Sequence, residues 1–148
     1  MKKRFINSLI IMSLIFFASC ASRVPFIELN PSLTPENPGS GRVFFYRPSA
    51  AGAAVQPQIM LNGESIGKAI SHGFFYLDLP PGDYEVVTST EVKRKLSFVL
   101  DKGQTRYVRL NIAIGFFVGH VYGELVDENE AIKQIEKCKY IPEEKRKA

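Results

Sequence analysis

The chain has 148 residues, of which 45% are hydrophobic, 11% aromatic and 23% charged, and its formal net charge is +4. Three of the nineteen Lys and Arg residues are Lys2, Lys3 and Arg4, so the chain from Cys20 onward carries sixteen basic against fifteen acidic residues. A near-neutral body of 129 residues is one ordinary domain with its own core, and it lacks the basic face that a nucleic acid partner would require.

The first segment has the order of an export signal. The basic trio precedes a run from Phe5 to Phe17 that is apolar apart from Asn7, Ser8 and Ser13. A span of hydrocarbon needs about 20 apolar residues, so this shorter run reads as a signal peptide, residues 1–19, rather than a membrane helix. It closes on Phe17-Ala18-Ser19-Cys20, two small residues before a cysteine, and here the chain resembles the bacterial lipoprotein signal, the lipobox. Phe17 stands where that pattern usually has Leu. The resemblance implies diacylglycerol on the Cys20 sulfur, cleavage before Cys20 and acylation, typically with palmitate, of the new amino terminus. Ala21, which is not the Asp associated with inner-membrane retention, implies the outer membrane facing the periplasm. The other reading of the segment is a secretory signal cut after Ala21. Two or three acyl chains at about 0.8 kcal/mol per methylene make a permanent anchor, where one chain is marginal.

Residues 20–40 contain Pro25, Pro31, Pro35 and Pro38 among Asn30, Asn37 and Gly39. This composition predicts an extended tether with a reach of roughly 60 Å. The domain is expected over residues 41–138. Val43-Phe44-Phe45-Tyr46 is apolar on both faces, as in a central strand that Pro48 ends. Ile59-Met60-Leu61 runs into Asn62-Gly63 and then Ser65-Ile66-Gly67, a hairpin with a type I′ turn. Phe74 to Leu79 is a strand, Pro81 and Gly82 fit the centre of a type II turn, and Tyr84 to Ser89 is the returning strand. Leu96, Phe98 and Leu100 alternate before the turn Asp101-Lys102-Gly103-Gln104. The run from Tyr107 to Val126 reads as two strands interrupted near Gly115, although Gly115, Gly119 and Gly123 also have the four-residue spacing of packed membrane helices.

A short helix follows, opened by the capping pair Asp127 and Glu130 and carrying the apolar stripe Ala131, Ile132, Ile135 and Cys138. With Cys20 lipidated, Cys138 is left without a partner in the chain, either to pair between molecules or to serve as a small apolar residue on the helix. Residues 139–148 lack periodicity and read as a charged, solvated tail. The fold class expected is mainly β: an antiparallel β-sandwich of about seven short strands with one C-terminal helix.

Gly41-Arg42-Val43-Phe44-Phe45-Tyr46-Arg47-Pro48, Leu61-Asn62-Gly63 with Ile66-Gly67, Gly73-Phe74-Phe75, Pro81-Gly82 with Tyr84 and Val86, and Lys102-Gly103-Gln104 with Tyr107-Val108 occur in that order. Together these landmarks resemble the bacterial lipoprotein family known as domain of unknown function 2846. The resemblance covers roughly Gly41 to Val108. It implies a small β-sandwich similar to transthyretin-like and PEGA domains, on exported or lipid-anchored chains, and it supplies no catalytic residue.

Candidates for chemistry are few. His72 and His120 have no second ligand at a metal-binding spacing, and neither Ser65 nor Ser71 reads as a nucleophile elbow: Gly63-Glu64-Ser65-Ile66-Gly67 has the Gly-x-Ser-x-Gly spacing, but it lies in the expected hairpin and not at a strand-to-helix turn. Asp78 reads as a solvent-facing strand residue. Asp83 and Glu85 could pair as acid and base in an enzyme acting on a cell-wall or carbohydrate substrate, the alternative function. No cofactor or metal is expected. Two surfaces are candidates for a partner: a cationic cluster of Lys93, Arg94 and Lys95, with Arg106 and Arg109, for an anionic envelope polymer; and the apolar run around Phe116 and Phe117 for an envelope protein. The function expected is therefore a non-enzymatic, lipid-anchored envelope protein that binds another envelope component.

Overall fold

The computed structural model describes residues 23–114 and 119–148. Nine strands are seen among them: β1 (Gly41–Arg47), β2 (Gln58–Leu61), β3 (Glu64–Lys68), β4 (Gly73–Leu79), β5 (Gly82–Thr88), β6 (Glu91–Leu100), β7 (Thr105–Ile114), β8 (Gly119–Val126) and β9 (Lys139–Tyr140). Three short helices accompany them, α1 (Phe26–Leu29), α2 (Glu128–Ile135) and α3 (Glu143–Lys147). A five-stranded sheet in the order β8-β7-β1-β4-β9 packs on a four-stranded sheet in the order β3-β2-β5-β6.

Strand β1 is buried along its whole length, as its unbroken apolar centre predicts. Alternation sends Val43 and Phe45 into the space between the sheets, where they meet Phe75, Val108 and Leu110 from the same sheet and Ile59, Leu61, Val86 and Leu100 from the other. Phe44 and Tyr46 point the opposite way, into a second core with Phe26, Phe74, Tyr107, Ala131, Ile135 and Cys138. The molecule thus has three layers, with the five-stranded sheet in the middle. Helix α2 and the segment before β1 form the outer layer.

The sandwich is not purely antiparallel. Strand β1 runs parallel to β7, from the pair Arg42 and Thr105 to the pair Tyr46 and Arg109, and β4 runs parallel to β9. The cause is that the chain changes sheet repeatedly. Strand β4 does not turn back on β5: it ends at Pro80 and the chain crosses to the other sheet, where Gly82 already pairs with Leu100. The type II turn expected there is absent, since Gly82 is not among the glycines with positive φ. The type I′ turn is present, with φ of 49° at Asn62 and 85° at Gly63. Helix α2 is capped as expected, the Asp127 carboxylate accepting the Glu130 N–H at 3.1 Å.

Residues 110–114 and 119–126 are strand, not helix, and β7 and β8 pair antiparallel from Tyr107 with Val126 to Ile114 with Gly119. Close packing explains the Gly123 position, where a Cβ would lie 3.3 Å from both Leu96 and Val108.

Two segments depart from the expectation of free, solvated ends. From Val24 to Ser40 the chain is a strap laid over the five-stranded sheet: Phe26 is buried, the Leu33 carbonyl accepts the Thr105 hydroxyl at 2.5 Å, and the Ser40 carbonyl accepts the Gly103 N–H at 2.8 Å. Residues 139–148 are likewise docked. Strand β9 pairs with Gly73 and Phe74, Ile141 is buried, and α3 carries Arg146 onto the edge of the sandwich with its guanidinium 4.8 Å from the Phe75 ring centre. Both segments are held by isolated apolar or long side chains seated in sites on the sheet, which a polar average composition conceals.

Candidate functional site

Cys20 lies outside the described residues, as does the signal before it. The first described residues lead directly into the fold. The Val24 carbonyl accepts the Tyr140 N–H at 2.7 Å, Pro25 bridges to Lys139, and the Phe26 N–H donates to the Cys138 carbonyl at 3.2 Å.

The strap is clamped further along by Arg42, only 1% exposed in the β1 strand. Its Nε and Nη2 donate to the two Asp78 carboxylate oxygens at 2.6 and 2.8 Å, its Nη1 donates to the Ser32 carbonyl at 2.6 Å, and its plane lies over the Tyr76 ring at 4.4 Å. Asp78 also accepts the Glu36 N–H at 2.9 Å. Asp78 is therefore the anchor of a buried fork and not a solvent-facing residue. The Arg42 hydrogen bond holds its carboxyl below the usual range, against desolvation and with help from the Glu36 N–H.

A second arginine, Arg47, is fully buried at the other end of β1. Among the described residues it pairs with no carboxylate. Its two terminal nitrogens donate to the carbonyls of Val55, Ala69, Ala51 and Gly52 at 2.6 to 2.9 Å, which folds the loop 49–57 around it, and burial lowers its pKa. Sequence reasoning assigned no role to Arg42 or Arg47. The available signal was their position: two arginines closing a strand whose interior is wholly apolar, on residues of opposite parity, so that each faces a different layer.

The cationic cluster does not assemble into one face. The Lys93 side chain lies outside what is described. Arg94 and Lys95 diverge by strand alternation: Arg94 sits 4.8 Å over the Tyr122 ring of β8, while Lys95 pairs with Glu85 at 3.0 Å on the outer surface of the four-stranded sheet. Arg106 Nε donates to the Val99 carbonyl at 3.2 Å, and Arg109 is held by Glu124 at 2.9 Å and Glu130 at 2.5 Å beside α2. Phe116 and Phe117 lie outside the described residues.

His72, with φ of 50°, occupies the turn before β4. His120 on β8 makes a 2.6 Å hydrogen bond through Nδ1 to the Thr90 carbonyl. The sheet order puts β7 and β1 between their strands, so the two rings are not brought together. Among the described residues no three His, Cys, Asp or Glu side chains converge. Cys138 is buried and its thiol pKa is pushed up to about 12 by desolvation, as suits a packing residue.

Asp83 and Glu85 do share a surface. They line an open depression of about 400 Å³ on the four-stranded sheet with Asn62, Tyr84, Ser97, Phe98 and Val99. Asn62 builds its rim, because the side-chain amide extends the β2–β5 ladder: Oδ1 accepts the Glu85 N–H at 2.7 Å and Nδ2 donates to the Asp83 carbonyl at 3.2 Å.

The family model described as "Protein of unknown function (DUF2846)" matches residues 37–121. An uncharacterized protein of Haemophilus influenzae is 29% identical over 143 residues, an alignment spanning 92% of this chain and 84% of the relative. No solved structure matches.

Proposed function

Since the chain belongs to the family described as "Protein of unknown function (DUF2846)", whose description carries no activity, we propose its role from its own residues: a lipid-anchored protein of the bacterial cell envelope that binds another envelope component and catalyses no reaction. The observation that carries this reading is the order Lys2-Lys3-Arg4, apolar run, Ala18-Ser19, Cys20, followed after three residues by the start of a folded domain. Diacylation at Cys20 would turn that order into a permanent attachment. Ala21 favours the outer membrane.

The partner is an envelope protein or an anionic envelope polymer, and the surface best suited to it is the outer face of the four-stranded sheet. The five-stranded sheet is covered on both sides, whereas this face carries the depression around Asp83, Glu85, Ser97 and Val99. The competing reading, an enzyme for cell-wall or carbohydrate substrates, would draw on Asp83 and Glu85. Glu85, however, is already engaged by Lys95, an arrangement suited to polar recognition more than to proton transfer.

Cys20→Ser is the test. The variant should leave the membrane fraction and lose palmitate labelling, with wild-type protein banding at the density of the outer membrane. A variant that stays with membranes and still incorporates palmitate refutes the anchor. Photo-crosslinking from Val99 in intact cells then identifies what covers the open face.

A further inference from the structure

The exposed apolar side chains are not scattered evenly. Among the described residues four large ones are exposed, Val24, Ile27, Val99 and Leu125, and two of these fall within seven residues of Cys20. Ile27 is 71% exposed and Val24 39%, although Phe26 between them is buried. The hydrogen bonds from Val24 and Phe26 to the segment around β9 fix the backbone that carries both. The strap entry and the segment it bonds to also carry the exposed residues Arg23, Lys137 and Lys139.

The docked strap changes the reach of the anchor. Had residues 20–40 been extended, the domain would float far from lipid. With Val24 fixed, only the four steps from Cys20 to Val24 remain, and a fully extended chain covers at most about 14 Å in that length. That is less than half of the roughly 30 Å hydrocarbon thickness of a bilayer. A domain on so short a lead cannot turn an arbitrary side to the membrane.

We propose that the domain rests directly on the bilayer through the side formed by the strap entry and β9, with Val24 and Ile27 in the boundary between headgroups and acyl chains. Arg23, Lys137 and Lys139 then lie at the level of the lipid phosphates. Glu28 and Glu136 are exposed in the same two segments, so the apolar pair and the short covalent lead, not net charge, set the contact. This proposal rests on the lipid-anchor reading of Cys20 and adds to it an orientation.

The test uses the full chain, matured in bacteria and reconstituted in phosphatidylethanolamine–phosphatidylglycerol vesicles. A nitroxide is attached at Ile27→Cys and, in a second sample, at Val99→Cys. Both sites are exposed, and the buried Cys138 with its raised pKa does not compete for the label. Oxygen and nickel-chelate accessibilities are read by electron paramagnetic resonance, and the amino-terminal peptide is weighed by mass spectrometry. The expected result is an acylated peptide, with an oxygen-to-nickel ratio at Ile27 severalfold above that at Val99. An acylated chain with equal, aqueous ratios at both positions overturns the orientation and leaves the anchor standing. An unmodified amino terminus overturns both.

Discussion

Replacing Asp78 by Ala tests whether the strap is part of the fold. The substitution removes two charge-assisted hydrogen bonds from Arg42 and one from the Glu36 N–H, and it strands a guanidinium that is 1% exposed. Stranding one member of a buried pair costs about 3–5 kcal/mol. The lower end applies here, because the Asp78 side chain is 22% exposed and Arg42 keeps the Ser32 carbonyl, the Tyr76 ring and the exposed Glu36 carboxylate 3.7 Å from its Nη2. At a urea slope of about 2 kcal/mol/M, a loss of about 3 kcal/mol moves the unfolding midpoint down by about 1.5 M. The assay is urea unfolding of the mature chain with Cys20→Ser, run as a cycle with Arg42→Met. The double variant should be less destabilised than the sum of the singles by about 2 kcal/mol, because its apolar substitute leaves no charge to strand. Additivity within about 0.5 kcal/mol refutes the clamp. Acid gives a second readout. The folded pKa of Asp78 lies below its unfolded value, so its stabilisation is complete above the unfolded pKa, near 3.8, and is lost as pH falls through the lower folded value. Wild type should lose stability more steeply than Asp78→Ala below about pH 4.

Other contacts can be tested in the same way. Arg47→Lys withdraws a planar fork from four backbone carbonyls and should cost about 2–3 kcal/mol while speeding amide exchange through residues 49–57; unchanged exchange there would mean the loop holds itself. Arg146→Ala removes a stem packed on Gly67 and a cation over Phe75, and should lower stability by about 1–2 kcal/mol with exchange rising in β3 and β9. If exchange stays level in both strands, α3 is not what covers that edge.

The strands were legible because their signals are local. Alternation marked β4 to β7, the unbroken apolar run marked β1, and Asn62-Gly63 fixed its own turn by tolerating positive φ. The short helix α2 declared itself by its cap and stripe. What escaped depends on partners distant in sequence. Phe26 sits among prolines and Ile141 between Tyr140 and Pro142, so neither belongs to a periodic pattern, yet each fills a site on a sheet edge or face. Arg42 and Arg47 looked like polar ends of a strand until the layers around them supplied carboxylate or carbonyl acceptors. The triplet Lys93-Arg94-Lys95 looked like one patch in a line of text, whereas a strand sends its neighbours to opposite faces.

The layer order also bears on where a partner can bind. A sheet face left without a second layer must be polar enough to stay in water, and the outer face of the four-stranded sheet meets that condition through Asp83, Glu85, Lys95 and Ser97. It is not uniformly polar, since Val99, 50% exposed, lines the depression together with Asp83, Glu85 and Ser97. Apolar centre with polar surround is the composition of a reversible protein contact more than of a membrane-inserting one. Lipid and partner therefore need not compete for one surface. With the β9 side toward the bilayer, β6, where Val99 lies, belongs to a different sheet from β9 and at the edge farthest from β3, which α3 covers. Under the proposed orientation, the side with the strap entry and β9 would meet the bilayer and would leave the open face of the four-stranded sheet free for a partner.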